Sequence, residues 1–160
     1  MSHADTRQTG KGILIADGQA GVRGQLREYL TDIGYTVEMA ADGREAVQRI
    51  ADGSFAVALV DCRLADGDGL DVLEQLCQSH PDLSVVMLSG DPSLELVISA
   101  LRRGAFDFVV KPVNLTEVDV IVRKAWDSFE LRAAYRALSY RSRLQGAAHT
   151  PGKSASVMIG

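Results

Sequence analysis

The stretch FAVALVD at residues 55–61 joins six apolar residues to an acid, and it decides the fold of this chain. A run of this length suits a strand that is buried on both faces, and it is far too short to cross a bilayer. Four more short apolar segments follow the same plan: GILIAD (12–17), YTVEMA (35–40), LSVVMLS (83–89) and FDFVVK (106–111). Each segment precedes a longer stretch, so strand and helix are predicted to alternate five times.

The longer stretches carry apolar residues at helical spacing. In the first, Val22, Leu26, Tyr29 and Ile33 recur at steps of three and four, and Gly34 is placed to end the helix. Strands that are apolar on both faces, separated by amphipathic helices, predict an α/β fold with a parallel sheet covered on both sides.

Composition indicates one ordinary globular domain with a basic tail. Of the 160 residues 46% are hydrophobic and 24% charged, and the polar start lacks the apolar stretch of a signal peptide, so a cytoplasmic protein is expected. The formal charge of −4 conceals an asymmetry, because residues 131–160 hold five basic residues and no acid. Cys62 and Cys77 fit no metal spacing and are interpreted as reduced structural thiols.

The polar residues that end the strands are the candidate functional residues. They are Asp17, Asp61, Ser89 and Lys111, from four segments that lie far apart in the sequence. The carboxyl ends of parallel strands meet at one edge of the sheet, where such folds collect their chemistry. A carboxylate can attack phosphorus there if a cation and a metal neutralise the charge on the transferring oxygens, so Asp61 is the predicted nucleophile and Lys111 the cation.

Four pieces of the sequence resemble the receiver domains of two-component response regulators. They are ILIADGQAGVRGQLREYL, VALVDCRLADGDGLDVL, VVMLSGD and GAFDFVVKPV, which occur in the order and spacing of that family over about residues 11–127. The resemblance implies a flavodoxin-like sheet of strand order 2-1-3-4-5. It also implies a phosphorelay switch rather than an enzyme, with a sensor histidine kinase or a phosphotransfer protein as the phosphoryl donor.

The same resemblance assigns roles to residues. Asp61 is implied as the phosphoacceptor, Ser89 as the hydroxyl switch residue, Lys111 as the conserved amine and Phe108 as the aromatic that responds to Ser89. Asp17, Asp61 and the backbone carbonyl of Arg63 are implied to hold Mg²⁺, and Pro112 to follow a cis peptide bond.

Gly18 is the atypical position. The family usually has two adjacent acids after the first strand, and Asp17-Gly18 supplies only one of them. The missing acid is the one that contacts the metal directly, so the site is expected to bind Mg²⁺ weakly. Gln19 can offer it a neutral oxygen.

Two other functions fit the same fold. A receiver-like interaction module can act without phosphorylation if Gly18 removes the metal. A flavodoxin-like flavin oxidoreductase needs a phosphate-cradling loop rich in Ser, Thr and Gly after the first strand, and Asp17-Gly18-Gln19-Ala20 does not provide one.

The ends of the chain complete the prediction. Residues 1–10 are expected to be disordered, residues 11–127 to form the receiver domain, 128–145 a helical extension and 146–160 a flexible tail or linker. The extension either packs back on the domain or forms a seam with a second copy of the chain, and the sequence leaves both open. Its arginines lack interleaved aromatic or glycine features, so direct binding to nucleic acid is not expected. The output partner is left open.

Overall fold

A computed structural model describes residues 10–149, with side chains described through residue 146. Within residues 10–149, seven strands and five helices follow one another. In order they are β1 (Gly12–Ala16), α1 (Ala20–Asp32), β2 (Val37–Ala40), α2 (Gly43–Asp52), β3 (Phe55–Asp61), β4 (Arg63–Leu64), β5 (Gly67–Asp68), α3 (Gly69–Ser79), β6 (Ser84–Ser89), α4 (Leu94–Arg102), β7 (Asp107–Val110) and α5 (Leu115–His149).

Five of these strands form one parallel sheet of order β2-β1-β3-β6-β7. The other two, β4 and β5, form a small antiparallel hairpin directly after β3. Without that hairpin the order is 2-1-3-4-5, which confirms the predicted flavodoxin-like fold.

The sheet separates two apolar cores, because β1, β3 and β6 are buried on both faces. Helices α1 and α5 cover one face, where Leu26 and Trp126 are among the buried side chains. Helices α2, α3 and α4 cover the other, where Ile50 and Leu73 are buried. The alternation of apolar strands and one-sided helices in the sequence therefore produces three layers.

The turns after the helices fix where the strands begin. Gly34 follows α1 with a φ of 113°, a left-handed conformation that favours glycine. Its backbone N–H donates to Thr31 at 3.0 Å, and the chain then buries Tyr35 against Trp126, with ring centroids 5.3 Å apart. Strand β2 consequently begins at Val37, two residues later than the predicted segment.

Helix α5 is much longer than the others and extends beyond the sheet. Its Arg132 donates to the Oγ of Ser84, the first residue of β6, at 2.6 Å, and its Arg136 pairs with Asp82 in the loop before β6 at 2.9 Å. Past these contacts large apolar side chains are exposed. The long C-terminal helix is confirmed, and it ends at His149, inside the stretch predicted to be a flexible tail. The predicted disorder of residues 1–9 and the tail beyond 149 lie outside the described residues.

Within residues 10–149, no helix combines the length and the apolar character that crossing a membrane requires.

Candidate functional site

The four predicted strand-end residues meet at the carboxyl edge of the sheet. Asp61, Ser89 and Lys111 line one cleft of about 1170 Å³, together with Gly18 and residues of the β4–β5 hairpin. Asp17 follows β1 and is fully buried. Sequence reasoning therefore found the side chains that the fold brings to this edge.

The ammonium group of Lys111 is the centre of the site. Its Nζ lies 2.7 Å from Asp17 Oδ2 and 2.7 Å from Asp61 Oδ2, and it donates to Gln19 Oε1 at 2.9 Å. The three charged side chains are 11%, 0% and 9% exposed for Lys111, Asp17 and Asp61 respectively. One cation thus contacts two carboxylates, and this largely buried cluster keeps one excess negative charge when both acids are ionised.

Backbone groups hold the other oxygen of each carboxylate. The Gln19 N–H donates to Asp17 Oδ1 at 2.8 Å, and the Arg63 N–H donates to Asp61 Oδ1 at 3.1 Å. Asp17 Oδ2 differs from Asp61 Oδ2. Both are close to Lys111, but Asp17 Oδ2 accepts no well-directed hydrogen bond from the described part of the chain. Asp17 therefore has a buried oxygen with spare capacity for another positive group.

Burial and charge act in opposite directions on these groups. Burial raises the pKa of Asp17, aided by the nearby Asp61 carboxylate, and this outweighs the close contact with the Lys111 ammonium and the hydrogen bond from the Gln19 N–H. Burial alone would lower the pKa of Lys111, but its bonds to Asp17 and Asp61 raise it above its ordinary value. Lys111 is accordingly a cation at neutral pH, and Asp17 is the carboxylate whose charge is unfavourable to bury.

Ser89 ends β6, Phe108 lies on the neighbouring strand β7, and Lys111 directly follows β7. The backbone carbonyl of Ser89 accepts from the Lys111 N–H at 2.8 Å, which fixes the two residues side by side. Ser89 Oγ accepts from the Asp91 N–H at 3.1 Å, so its own O–H remains available to donate. Phe108 is half-buried opposite Met87 in the sheet register.

Comparison with known proteins identifies the family. Residues 13–123 match the response regulator receiver domain. This chain belongs to that family. It is similar to the nitrogen assimilation regulatory protein NtrX of Azorhizobium caulinodans, with 34% identity over 128 residues that make up 79% of this chain and 28% of that protein. It is also similar to the response regulator protein PilR of Pseudomonas aeruginosa, with 37% identity over 70% of this chain and 25% of that protein.

Solved structures give the same answer. A CheY-like receiver domain protein from Methanospirillum hungatei superposes with a TM-score of 0.73 at 31% identity, over 76% of this chain and 98% of that one. NtrX from Brucella abortus, solved with ADP, gives 0.74 at 31% identity over 79% of this chain and 29% of that one. The receiver spans less than a third of the length of the two curated relatives.

Gly18 leaves open space in the receiver's cleft. A Cβ built at Gly18 would meet no atom within 4 Å, and the backbone there is not in the left-handed region. Among residues 10–149, no group of three or more His, Cys, Asp or Glu side chains is placed to hold a metal ion. Asp17 and Asp61 alone fit Mg²⁺, since this ion accepts one or two carboxylates when water and phosphate oxygens complete its shell. The spare oxygen of Asp17 is consistent with that fit.

Two features of the site were not predicted from the sequence. Gln19 was considered for the metal, whereas here its side-chain oxygen accepts from Lys111, 92 residues away. Asp66 was not considered at all, and its carboxylate accepts from the N–H groups of Gly43 and Arg44 at the start of α2. No local pattern marks such partners, because the turn geometry alone decides where these side chains reach.

Other expectations at the site have mixed outcomes. The Lys111–Pro112 peptide bond is cis, as the resemblance implied. Burial, with help from Asp61, raises the pKa of the Cys62 thiol to about 11, which fits its interpretation as an unreactive thiol. The metal-binding role of the Arg63 carbonyl and the switching role of Phe108 stay predictions.

Proposed function

We propose that this receiver accepts a phosphoryl group on Asp61 from a sensor histidine kinase or a phosphotransfer protein. The observation that carries the proposal is the Lys111 ammonium, which is 2.7 Å from Asp61 Oδ2 and charged at neutral pH. Phosphoryl transfer needs positioning and charge neutralisation more than covalent chemistry from the protein. A buried cation in contact with the attacking carboxylate supplies both.

The reaction uses the residues of the cleft in turn. An oxygen of Asp61 attacks the phosphorus of a phosphohistidine; the new O–P bond forms as the P–N bond breaks, and the electron pair returns to the imidazole nitrogen. The Arg63 N–H fixes the orientation of the Asp61 carboxylate, and Lys111 neutralises charge on the transferring oxygens. The Ser89 O–H is free to donate to one of those oxygens.

Mg²⁺, when bound, adds positive charge beside the transferring oxygens. Asp17, Asp61 and the backbone carbonyl of Arg63 would hold it, with weak affinity because Gly18 contributes no carboxylate. The buried negative charge of Asp17 would attract this cation. A bound cation would in turn offset the free energy cost of burying the Asp17 carboxylate.

The output is a change of the surface formed by α4, β7 and α5. Ser89 moves toward the phosphoryl group when it arrives, Phe108 swings inward as Ser89 moves, and the shift passes to the elements that flank them. That surface already has exposed apolar side chains, namely Leu94, Ile98 and Leu101 of α4, Val110 of β7 and Val120 of α5. A partner protein is the natural occupant of such a face.

A second copy of the chain is the partner we propose for the far part of α5. Leu131, Tyr135 and Leu138 are exposed at spacings of four and three, which is the spacing of a two-helix seam. One similar solved structure, at 26% identity and a TM-score of 0.70, is a beryllofluoride-activated NtrC4 receiver domain dimer.

The test is phosphorylation by a small phosphodonor such as phosphoramidate in the presence of Mg²⁺. Intact mass should show one added phosphoryl group on the parent and on the control Asp71→Asn, and none on Asp61→Asn. A parent that gains no mass, with or without a kinase, would instead favour the interaction module that acts without phosphorylation.

A further inference from the structure

Asp66 lies at the tip of the β4–β5 hairpin, in the two-residue loop that joins Leu64 to Gly67. Its side chain is exposed, yet both carboxylate oxygens are engaged. Oδ1 accepts from the Gly43 N–H at 2.8 Å and Oδ2 accepts from the Arg44 N–H at 2.9 Å. These two bonds lower the pKa of Asp66 below its ordinary value. Asp66 thus connects the hairpin to the first turn of α2 through two hydrogen bonds.

The first turn of α2 has two donors left for Asp66 to satisfy. The helix carries its own cap, because Asp42 Oδ1 accepts from the Glu45 N–H at 2.9 Å, and the Ala46 N–H reaches the Asp42 carbonyl. The N–H groups of Gly43 and Arg44 are those that a cap within the helix leaves open. Gly43 also lets α3 and the hairpin come close, since a Cβ there would lie 2.7 Å from a methyl group of Val72 in α3 and 3.3 Å from Asp66 Oδ1.

The base of the same hairpin holds the acceptor carboxylate. Arg63, its first residue, donates its N–H to Asp61 Oδ1, and Arg63 pairs with Asp68 across the hairpin. Asp68 caps α3 by accepting from the Leu70 N–H at 2.9 Å, and the Gly69 N–H donates to the Cys62 carbonyl. The hairpin is therefore fixed to α3 at its base and to α2 at its tip.

We infer that Asp66 is a positioning residue for phosphoryl transfer to Asp61, an inference that rests on the proposed function. By holding the tip of the hairpin, it fixes the Arg63 N–H that orients Asp61 Oδ1, and so directs Oδ2 to Lys111. Without Asp66 the tip of the hairpin keeps the apolar packing of the buried Leu64 but loses both of these hydrogen bonds to α2. The Arg63 N–H then moves, and the attacking carboxylate rotates out of its productive orientation.

The test separates positioning from stability by comparing the two caps of one helix. Asp42→Ala removes the N-cap residue directly before α2, which accepts from the Glu45 N–H, and does not change the hairpin. Asp66→Ala removes the carboxylate of the hairpin that accepts from the Gly43 and Arg44 N–H groups. Phosphorylation rates with phosphoramidate and Mg²⁺, thermal unfolding, and the amide chemical shift of Arg63 are measured for both variants and the parent. Asp66→Asn is the intermediate variant, because its one side-chain oxygen can accept from Gly43 or from Arg44 but not from both.

Asp66→Ala should phosphorylate about tenfold more slowly, since small misplacements of reacting groups cost up to about a hundredfold. Asp66→Asn, which keeps one of the two bonds, should react at an intermediate rate, and the Arg63 amide should shift most in Asp66→Ala. Asp42→Ala should be destabilised yet react at nearly the parental rate. Equal slowing by both alanine variants, or an Asp66→Ala variant with the parental rate and an unmoved Arg63 amide, would overturn the inference. If the parent is not phosphorylated at all, the proposed function fails, while the Arg63 shift still tests the contact.

Discussion

Charged side chains are usually exposed and large apolar ones buried. The cleft at the carboxyl edge of the sheet and the far part of α5 depart from this distribution in opposite ways. In the cleft, Asp17, Asp61 and Lys111 bury charge, and nearly every polar atom is paired. From Leu131 onward, α5 exposes large apolar side chains, namely Leu131, Tyr135, Leu138, Tyr140 and Leu144. Buried charge and exposed apolar surface both have a free energy cost that the isolated domain does not recover. Each region therefore supports one part of the proposed function: the cleft supports the binding of a phosphoryl group with its metal, and the exposed part of α5 supports the binding of a partner.

We expect the largest effect from a substitution that uncouples phosphorylation in the cleft from the structural change at α4 and β7. Ser89→Ala removes the O–H that we expect to follow the phosphoryl group, but it leaves Asp61 and Lys111 in place. Phosphorylation should continue, and the phosphorylation-dependent amide shifts of α4 and β7 should be lost. Nuclear magnetic resonance of the parent and the variant, each with and without phosphodonor, measures this directly. The proposed coupling is wrong if both proteins show the same shifts.

Gly18→Asp should strengthen metal binding in the cleft, because it restores the second acid that the family usually has after the first strand. The new carboxylate has room, and it adds one charged ligand for Mg²⁺. We expect the dissociation constant for Mg²⁺ to fall about ten- to a hundredfold, which corresponds to about 1–3 kcal/mol. Phosphorylation of Asp61 should become faster as well.

A matched control is Gly24→Asp, which makes the same change of charge on α1, where an added Cβ also meets no atom within 4 Å. Magnesium titrations followed by amide shifts or by the fluorescence of Trp126 compare the three proteins. Equal affinity of the parent and Gly18→Asp would show that the missing acid does not weaken the site.

A moderate effect is expected at the far part of α5. Leu131→Ser combined with Leu138→Ser removes apolar contacts from the proposed seam, where both side chains are exposed. Dimer affinity should drop about tenfold or more, since each lost leucine contact is worth more than about 1 kcal/mol. Sedimentation at several concentrations measures it, with Arg143→Ser as a control outside the seam. An unchanged oligomeric state would place the dimer contact elsewhere or show that the chain is a monomer.

The cleft was more predictable from the sequence than the contacts around it. Asp17, Asp61, Ser89 and Lys111 could be placed because parallel strands bring their carboxyl ends together, so position along a strand determined position in space. Gln19 could not be assigned to Lys111, since that contact depends on how the loop after β1 turns.

The remaining differences between the sequence predictions and the structure follow from turn conformations and from contacts with residues distant in the sequence. Asp66 reaches α2 across more than twenty residues, and nothing in the sequence DGDG shows which helix it would cap. Tyr35 belongs to an apolar segment that suits a strand, but its ring is needed in the core beside Trp126, so the strand begins later. The apolar pattern of α5 predicted a long helix without indicating which side chains the sheet would leave uncovered.

The smallest effect concerns stability. The pKa of Asp17 is raised, so this carboxyl group favours the folded state below the unfolded pKa of 3.8, and that contribution is lost as the pH rises through the folded pKa. Asp17→Asn should therefore raise the free energy of unfolding at pH 7 by about 1 kcal/mol, an ordinary size for a single substitution.

The gain should disappear as the pH falls below about 4, where the parent carboxyl group also becomes neutral. Urea unfolding at several pH values provides the measurement, and Asp52→Asn at the end of α2 controls for the loss of one surface acid. A destabilised Asp17→Asn protein at pH 7 would mean that the ion pair with Lys111 outweighs the burial of Asp17.

The most direct test of the central claim is chemical identification of the phosphorylated residue. The receiver is treated with phosphoramidate and Mg²⁺ and then reduced with borohydride, which converts an acyl phosphate of aspartate to homoserine, and the position is read by peptide mass spectrometry. We predict homoserine at position 61 alone, with none in a Lys111→Ala variant treated for the same short time. Homoserine at another aspartate, or none in both the parent and Gly18→Asp, would contradict the assignment of Asp61 as the phosphoacceptor.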